Sequence, residues 1–298
     1  MSGGRIALIG FGEVGQRLGA DLRARGQTDL CAWDVLFVDP ASAPSRALGA
    51  GAVRAARNAA EALTGAGVVI SAVTAGECVA AARTAAPALA PGALYLDLNS
   101  VSPRTKSEAA AAVGACGGRY VEAAVMSPIG PKGVASPILL GGPHARAFRA
   151  AARTLGFDGA EVFSEVIGAA SAAKMCRSVM IKGIEALLTE SLLAARRYGV
   201  EDAVLTSLGD LLPLPDWPAR SRYMISRSLQ HGRRRAAEMR EVAVTVREAG
   251  IEPWMSAACA ARQDWAATHA AALRRESLPQ LLDAILATLP DQPGGPTC

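Results

Sequence analysis

The chain has 298 residues, long enough for one large domain or two ordinary ones, and its composition is 51% hydrophobic with only 4% aromatic, so Ala, Val and Leu must fill its cores. There is no apolar run of about 18 residues, and Met1-Ser-Gly-Gly-Arg5 leads into a strand-like segment without a signal-peptide pattern, which together point to a cytoplasmic protein with no membrane partner. The net charge of +4 does not by itself indicate nucleic acid, and the six scattered cysteines (31, 78, 116, 176, 259, 298) lack the spacing of a metal site or a disulfide framework.

Arg5-Ile-Ala-Leu-Ile9 reads as a strand, Gly10-Phe11-Gly12-Glu13-Val14-Gly15 as a glycine turn, and residues 16–25 as a helix. That context makes G-x-G-x-x-G a dinucleotide fingerprint. Gly10 gives the tight turn, Gly12 lets the backbone approach a pyrophosphate, and Gly15 lets helix and strand pack closely. The helix N-terminus offers N–H groups and partial positive charge to the phosphates. The second strand, from Leu30, ends in Asp34, 19 residues beyond Gly15, where a carboxylate accepts from the adenosine ribose; this leans toward NAD over NADP. Asp39, at the end of a second strand-like run over Val35–Val38, competes for that role, and Arg46 could meet a 2′-phosphate.

Residues 67–73 form another buried strand running into Thr74, and Leu94–Leu98 a further one running into Asn99-Ser100-Val-Ser102-Pro103, with Ser102 as N-cap and Pro103 in the first helical turn. Tyr120–Val125 and Pro137–Leu140 read as the last strands. Between them, the segment from Met126 through Ser127, Pro128 and Lys132 to Gly133 is too rich in Gly and Pro to be regular, and reads as a loop of the site. Strands followed by small polar residues indicate an α/β, Rossmann-type, doubly wound, mostly parallel sheet with its cleft at the strand C-termini.

After Phe163 everything reads as helix, so the predicted organisation is a dinucleotide-binding domain over 1–165, an all-α substrate and dimerisation domain over 166–289, and a disordered tail over 290–298. The chain has only four lysines (106, 132, 174, 182) beside 27 arginines. Lysine can change protonation state when partly buried and arginine effectively cannot, so Lys174, on the long helix predicted over 167–197, suggests proton transfer. Lys174, Ser178, Lys182 and Glu185 fall within an arc of about 80°. Lys182 and Glu185 are expected to pair with each other. Lys174 has Arg177 and Ser178 at i+3 and i+4, so its partner must come from elsewhere in the fold or from a ligand. Downstream, residues 231–240 concentrate positive charge, with His231 and Arg233 as candidate anion ligands beside the plainer reading of a solvated face.

The chain resembles the β-hydroxyacid dehydrogenases, which include the 6-phosphogluconate dehydrogenases, and more closely a bacterial branch with a C-terminal domain of unknown function. The resemblance rests on Gly10–Gly15, on Asp97-Leu-Asn-Ser-Val-Ser-Pro103, on Glu122-Ala-Ala-Val-Met-Ser-Pro128 and on Gly168-Ala-Ala-Ser-Ala-Ala-Lys174, in family order. It implies an NAD- or NADP-dependent oxidoreductase acting on a small anionic or polar hydroxy acid, with or without decarboxylation, as a homodimer and without a metal. Residues 10–15, Asp34, Val73, Thr74, Asn99 and Ser100 would hold the cofactor. Lys174, its pKa lowered by burial, would be the general acid/base with Ser178 assisting. Ser100, Met126, Ser127, Pro128, Lys132, Arg177, Lys182, His231 and Arg233 would meet the substrate. The family's Ser-Gly-Gly is replaced by Met126-Ser127-Pro128, and its asparagine after the lysine by Arg177 and Ser178, so phosphogluconate is not implied. An imine reductase of the same fold and a non-catalytic dinucleotide-binding regulator are the alternatives.

Overall fold

The computed structural model describes residues 4–48, 53–211 and 216–290. The chain divides into two compact units, residues 1–176 and 177–298. In the first, β1 (Arg5–Ile9), β2 (Leu30–Trp33), β3 (Arg54–Ala55), β4 (Ala66–Ser71), β5 (Leu94–Asp97), β6 (Arg119–Val125), β7 (Ile138–Gly141) and β8 (Ala160–Ser164) form one sheet in the order β3-β2-β1-β4-β5-β6-β7-β8. Its helices are α1 (Glu13–Ala24), α2 (Ala43–Leu48), α3 (Ala59–Leu63), α4 (Cys78–Ala85), α5 (Pro103–Ala115), α6 (Ile129–Lys132) and α7 (Ala145–Leu155). Every neighbouring pair is parallel except β6 with β7. The strand order reverses between β1 and β4, the place where a doubly wound sheet opens a crevice at its strand C-termini.

Residues of β1 alternate between two cores. Ile6 and Leu8 pack with Leu18 and Leu22 of α1 and Phe148 of α7 on one face. Ala7 and Ile9 pack with Ala62 and Leu63 of α3, Ala82 of α4 and Val113 of α5 on the other. Both faces are covered, which is why the strand reads as a continuous apolar run rather than an alternation. The second face is dominated by alanine, consistent with a chain poor in aromatic residues.

Three local expectations are corrected. Val35–Val38 is a 3-10 turn rather than a strand, because Oδ1 of Asp34 accepts the Leu36 N–H at 2.9 Å and folds the backbone back on itself; Val35, Leu36 and Val38 are exposed as a result. Residues 126–133 are not a loop throughout: they contain α6 and lead into a 3-10 turn over Gly133–Ala135. Pro131, within the first turn of α6, removes an N–H that would have no helical partner in any case. The sheet also continues one strand past Leu140, since β8 pairs with β7 as an edge strand. With Glu161 and Phe163 exposed, β8 lacks the apolar run of the inner strands.

The long helix α8 (Ala169–Arg197) starts in the first unit, after Gly168 at φ +94°, and runs into the second. The second unit holds the remainder of α8, then α9 (Glu201–Leu211), α10 (Trp217–Glu248), α11 (Trp254–Ala267) and α12 (Leu278–Leu286). Its core joins Leu188, Leu192, Ile225, Leu229, Leu281 and Ile285. The expected Lys182–Glu185 pair does not form. Lys182 Nζ meets Glu238 Oε2 at 2.5 Å and Glu185 pairs with Arg235, because α10 brings opposite charges to each of them. The tail expected over 290–298 lies, from residue 291, outside the described residues. Among the described residues no helix is long and apolar enough to cross a membrane.

Candidate functional site

The glycine turn has the shape its sequence requires. Gly10 sits at φ +90°, where a side chain would also collide with the Ala72 carbonyl, and a Cβ on Gly15 would overlap the Gly10 carbonyl. A Cβ on Gly12 would meet nothing within 4 Å. Two glycines are therefore needed by the fold itself, while the third leaves open space in front of α1. Helix α1 begins at Glu13 with Gly12 as N-cap and no side-chain cap, which leaves its positive end available to an anion. Asp34 braces this loop: its Oδ2 accepts the Phe11 N–H at 2.7 Å while its Oδ1 holds the turn after β2. Its competitors are committed to local turns, Asp39 accepting from the Ala41 N–H and Arg46 donating to the Ala41 carbonyl. Glu13 and Thr74 are exposed, and Val14 and Val73 are half-buried.

At the C-terminal ends of β4 and β5, reached by Tyr120 from near the start of β6, lies a buried polar network. Asp97 Oδ1 is 2.9 Å from Lys106 Nζ, both side chains 1% exposed, and Lys106 also donates to the Asp97 carbonyl. Tyr120 Oη donates to Asp97 Oδ2 at 2.6 Å, and the Asn99 N–H donates to Asp97 Oδ1. Asn99 passes the order on, its Oδ1 accepting the Val73 N–H at 2.7 Å and its Nδ2 donating to Ser71 Oγ. Burial, with Asp97 adding to it, pushes the Cys78 thiol up to about 12 and raises the Tyr120 phenol well above its ordinary value. These groups therefore act as fixed donors at neutral pH, not as proton carriers. Ser100 follows Asn99 directly, so its position is inherited from this frame.

Lys174 lies near the start of α8, half-buried, and its Nζ donates to Ser100 Oγ at 2.6 Å. Glu122 Oε2 accepts the Gly168 N–H at 2.7 Å and its Oε1 the Ser171 N–H at 2.5 Å, and Ser171 Oγ donates to the Val101 carbonyl. The structure thus brings Lys174 and Ser100 together at the end of the sheet that carries the glycine turn. Met126 and Ser127 are half-buried after β6, while Pro128 and Lys132 are exposed. In the helical unit, Ser178 is buried, Arg177 and Arg233 are exposed and His231 is half-buried. Burial lowers the Lys182 amine and its partner Glu238 opposes that shift.

Sequence reasoning passed over Asp97, Lys106, Tyr120, Glu122 and Ser171 as functional side chains. A signal was present. Asp97 and Glu122 are charged residues within otherwise apolar strands, and a strand covered on both faces must bury such a residue against a partner.

A doubly wound sheet with this glycine turn at its switch point defines a Rossmann-type dinucleotide-binding protein. Residues 5–168 match the family described as the NAD binding domain of 6-phosphogluconate dehydrogenase, and residues 195–266 match a domain of unknown function, DUF1932. The chain belongs to that 6-phosphogluconate-dehydrogenase-like family. A conserved hypothetical protein from Sinorhizobium meliloti 1021 is 36% identical, with 95% of this chain and 97% of that one covered and a TM-score of 0.72. A conserved protein of unknown function, described as structurally similar to 3-hydroxyacid dehydrogenases, is 32% identical over 95% and 98% of the two chains, with a TM-score of 0.68. The Mycobacterium tuberculosis 3-hydroxyisobutyrate dehydrogenase shares the fold at 19% identity, covering 95% and 99%, with a TM-score of 0.70. No curated protein matches the chain.

Proposed function

We propose that the protein is an NAD(P)-dependent oxidoreductase acting on the carbinol carbon of a small hydroxy acid, with Lys174 as general acid/base. The observation that carries this is the 2.6 Å hydrogen bond between Lys174 Nζ and Ser100 Oγ, formed at the C-terminal edge of a dinucleotide-binding sheet. The residues fit the cofactor: Gly12 leaves room in front of α1, and no side chain caps the N-terminus of α1 with a hydrogen bond. Residues 10–15 and Asp34 would hold the dinucleotide, with Val73, Thr74 and Asn99 beside it. A bound nicotinamide dinucleotide supplies the hydride acceptor or donor.

Lys174, in its neutral form, takes the hydroxyl proton at Nζ as the alcohol is oxidised and returns it in the reverse direction. Ser100 fixes the amine's direction and so limits the conformers that must be lost on the way to reaction. Ser127 is a second hydroxyl for the substrate's polar groups. Lys182 is left out, because its amine is already paired with Glu238. The lean to NAD rests on Asp34, and the active species is proposed to be a homodimer.

The test is a fluorescence titration with NADH and NADPH, then a turnover screen of hydroxy acids and imines with the preferred cofactor. Lys174→Ala is expected to lower kcat by roughly a hundredfold or more while dinucleotide affinity stays within about twofold. Near-normal turnover by that variant would remove the proton-transfer assignment, and dinucleotide binding without turnover across the screen would favour a regulatory protein.

A further inference from the structure

Among the described residues, the same first unit holds three acidic or basic side chains out of water: Asp97 and Glu122 at 0% exposure and Lys106 at 1%. Two carboxylates against one ammonium leave a negative charge in excess. A buried charge of this kind is tolerated only if something else compensates it. The compensation lies at the start of α8, where Gly168 and Ser171 give both their N–H groups to Glu122, at 2.7 and 2.5 Å, and where the helix carries about half a positive charge. Space for this contact is provided across the sheet. Gly141 of β7 stands opposite Glu122 in the antiparallel ladder, and a Cβ there would overlap Glu122 Oε2. Ser171 adds a second tether, through Oγ to the Val101 carbonyl, in the segment that also carries Ser100. Lys174 then projects from the turn after Ser171 and reaches Ser100.

We propose that Glu122 is a positioning residue for Lys174: its carboxylate clamps the first turn of α8 to the sheet, and thereby sets where the lysine amine stands relative to Ser100. This rests on the oxidoreductase reading of Lys174. The clamp needs both carboxylate oxygens as acceptors. Protonation turns one of the two oxygens into a hydroxyl, a much poorer acceptor than a carboxylate oxygen, so one of the two bonds is weakened. Burial is the largest influence on Glu122 and raises its pKa; Lys106 of α5 and the two backbone donors oppose that rise, and Asp97 of β5 adds to it. The clamp is therefore loosened on acidification before an ordinary surface carboxylate would protonate.

The test uses the full chain and Glu122→Gln, which keeps the shape but replaces one acceptor oxygen with a donor NH2. The expected result is a kcat reduced by roughly tenfold to a hundredfold with KM for the dinucleotide within about twofold, and a kcat–pH profile whose acid limb keeps the part set by Lys174 and loses the part set by Glu122. Two readouts do not depend on turnover. Deuterium exchange over residues 166–174 is expected to rise while exchange over residues 13–24 is unchanged. The rate at which an amine-directed acylating reagent labels Lys174, followed by mass spectrometry, is expected to change several-fold. Unchanged exchange over 166–174 together with unchanged labelling overturns the proposal, as does a kcat within twofold of wild type with a kcat–pH profile that superimposes on the wild-type one. If Glu122→Gln does not give a folded protein, Glu122→Asp, which withdraws the carboxylate by one methylene, is judged by the same readouts. Should Lys174→Ala keep normal turnover, the proton-transfer assignment of Lys174 fails separately, and exchange and labelling still decide whether Glu122 positions the lysine.

Discussion

Lys106→Met should be among the most damaging single changes in the first unit. Lys106 is 1% exposed, and its amine makes both the 2.9 Å ion pair with Asp97 Oδ1 and a hydrogen bond to the Asp97 carbonyl. Methionine fills nearly the same volume, so packing is almost conserved and the loss is electrostatic. Removing one partner of a buried ion pair leaves the other charge uncompensated and typically costs about 3–5 kcal/mol. Asp97 retains Tyr120 and the Asn99 N–H as donors, which favours the lower end, about 3 kcal/mol. For a unit of this size each kcal/mol lowers Tm by roughly 2–4 °C, so a fall of roughly 6–12 °C is expected. Circular dichroism melts give the Tm, and urea titrations at 25 °C give the free energy. The double variant Lys106→Met with Asp97→Asn should recover a good part of the loss, because the stranded charge is gone. A single variant melting within about 2 °C of wild type, or a double variant no more stable than the single, would refute the argument that this pair is what makes the buried Asp97 tolerable.

The glycine turn gives a sharper contrast. Gly12→Val is expected to leave the melting temperature within about 2 °C, since a Cβ at Gly12 meets nothing within 4 Å, yet to weaken dinucleotide binding at least tenfold by filling the place where a phosphate approaches. Retained affinity in a nucleotide titration would place the cofactor elsewhere. Asp34→Ala removes both the proposed acceptor for the ribose and the brace on the Phe11 N–H, so NADH affinity should fall about tenfold while NADPH affinity falls less or improves. A wild-type preference for NADPH, left unchanged by the substitution, would reverse the lean to NAD.

The dinucleotide turn was legible because its requirements are local. Glycines at positions 10, 12 and 15 between a short apolar strand and a helix have few other physical explanations, and the structure shows Gly10 and Gly15 to be sterically obligatory. The helical second half and the start of the long helix near residue 168 were legible for the same reason, through periodicity and a single glycine. The strand-like run at Val35–Val38 misled because β-branched and apolar residues raise strand propensity, whereas one carboxylate bonding two residues ahead decides the backbone. The Lys182–Glu185 expectation failed because spacing along one helix says nothing about charges supplied by another, and α10 supplies both Glu238 and Arg235.

What the sequence determined by itself is the kind of protein: an alternating α/β unit with a dinucleotide turn, an all-helical continuation, and one lysine placed where proton transfer is plausible chemistry. What only the tertiary structure decided is which charged residues are buried together. Of the four lysines, Lys106 had attracted no functional reading, yet it is the most deeply buried and is paired with Asp97. Glu122 read as part of a motif and proved to hold the first turn of α8. The bonds from the start of α8 to Glu122 of β6 span 46 and 49 positions of the chain, and burial makes such bonds both necessary and strong. Neither the pairing nor the burial is written in any local stretch of the chain.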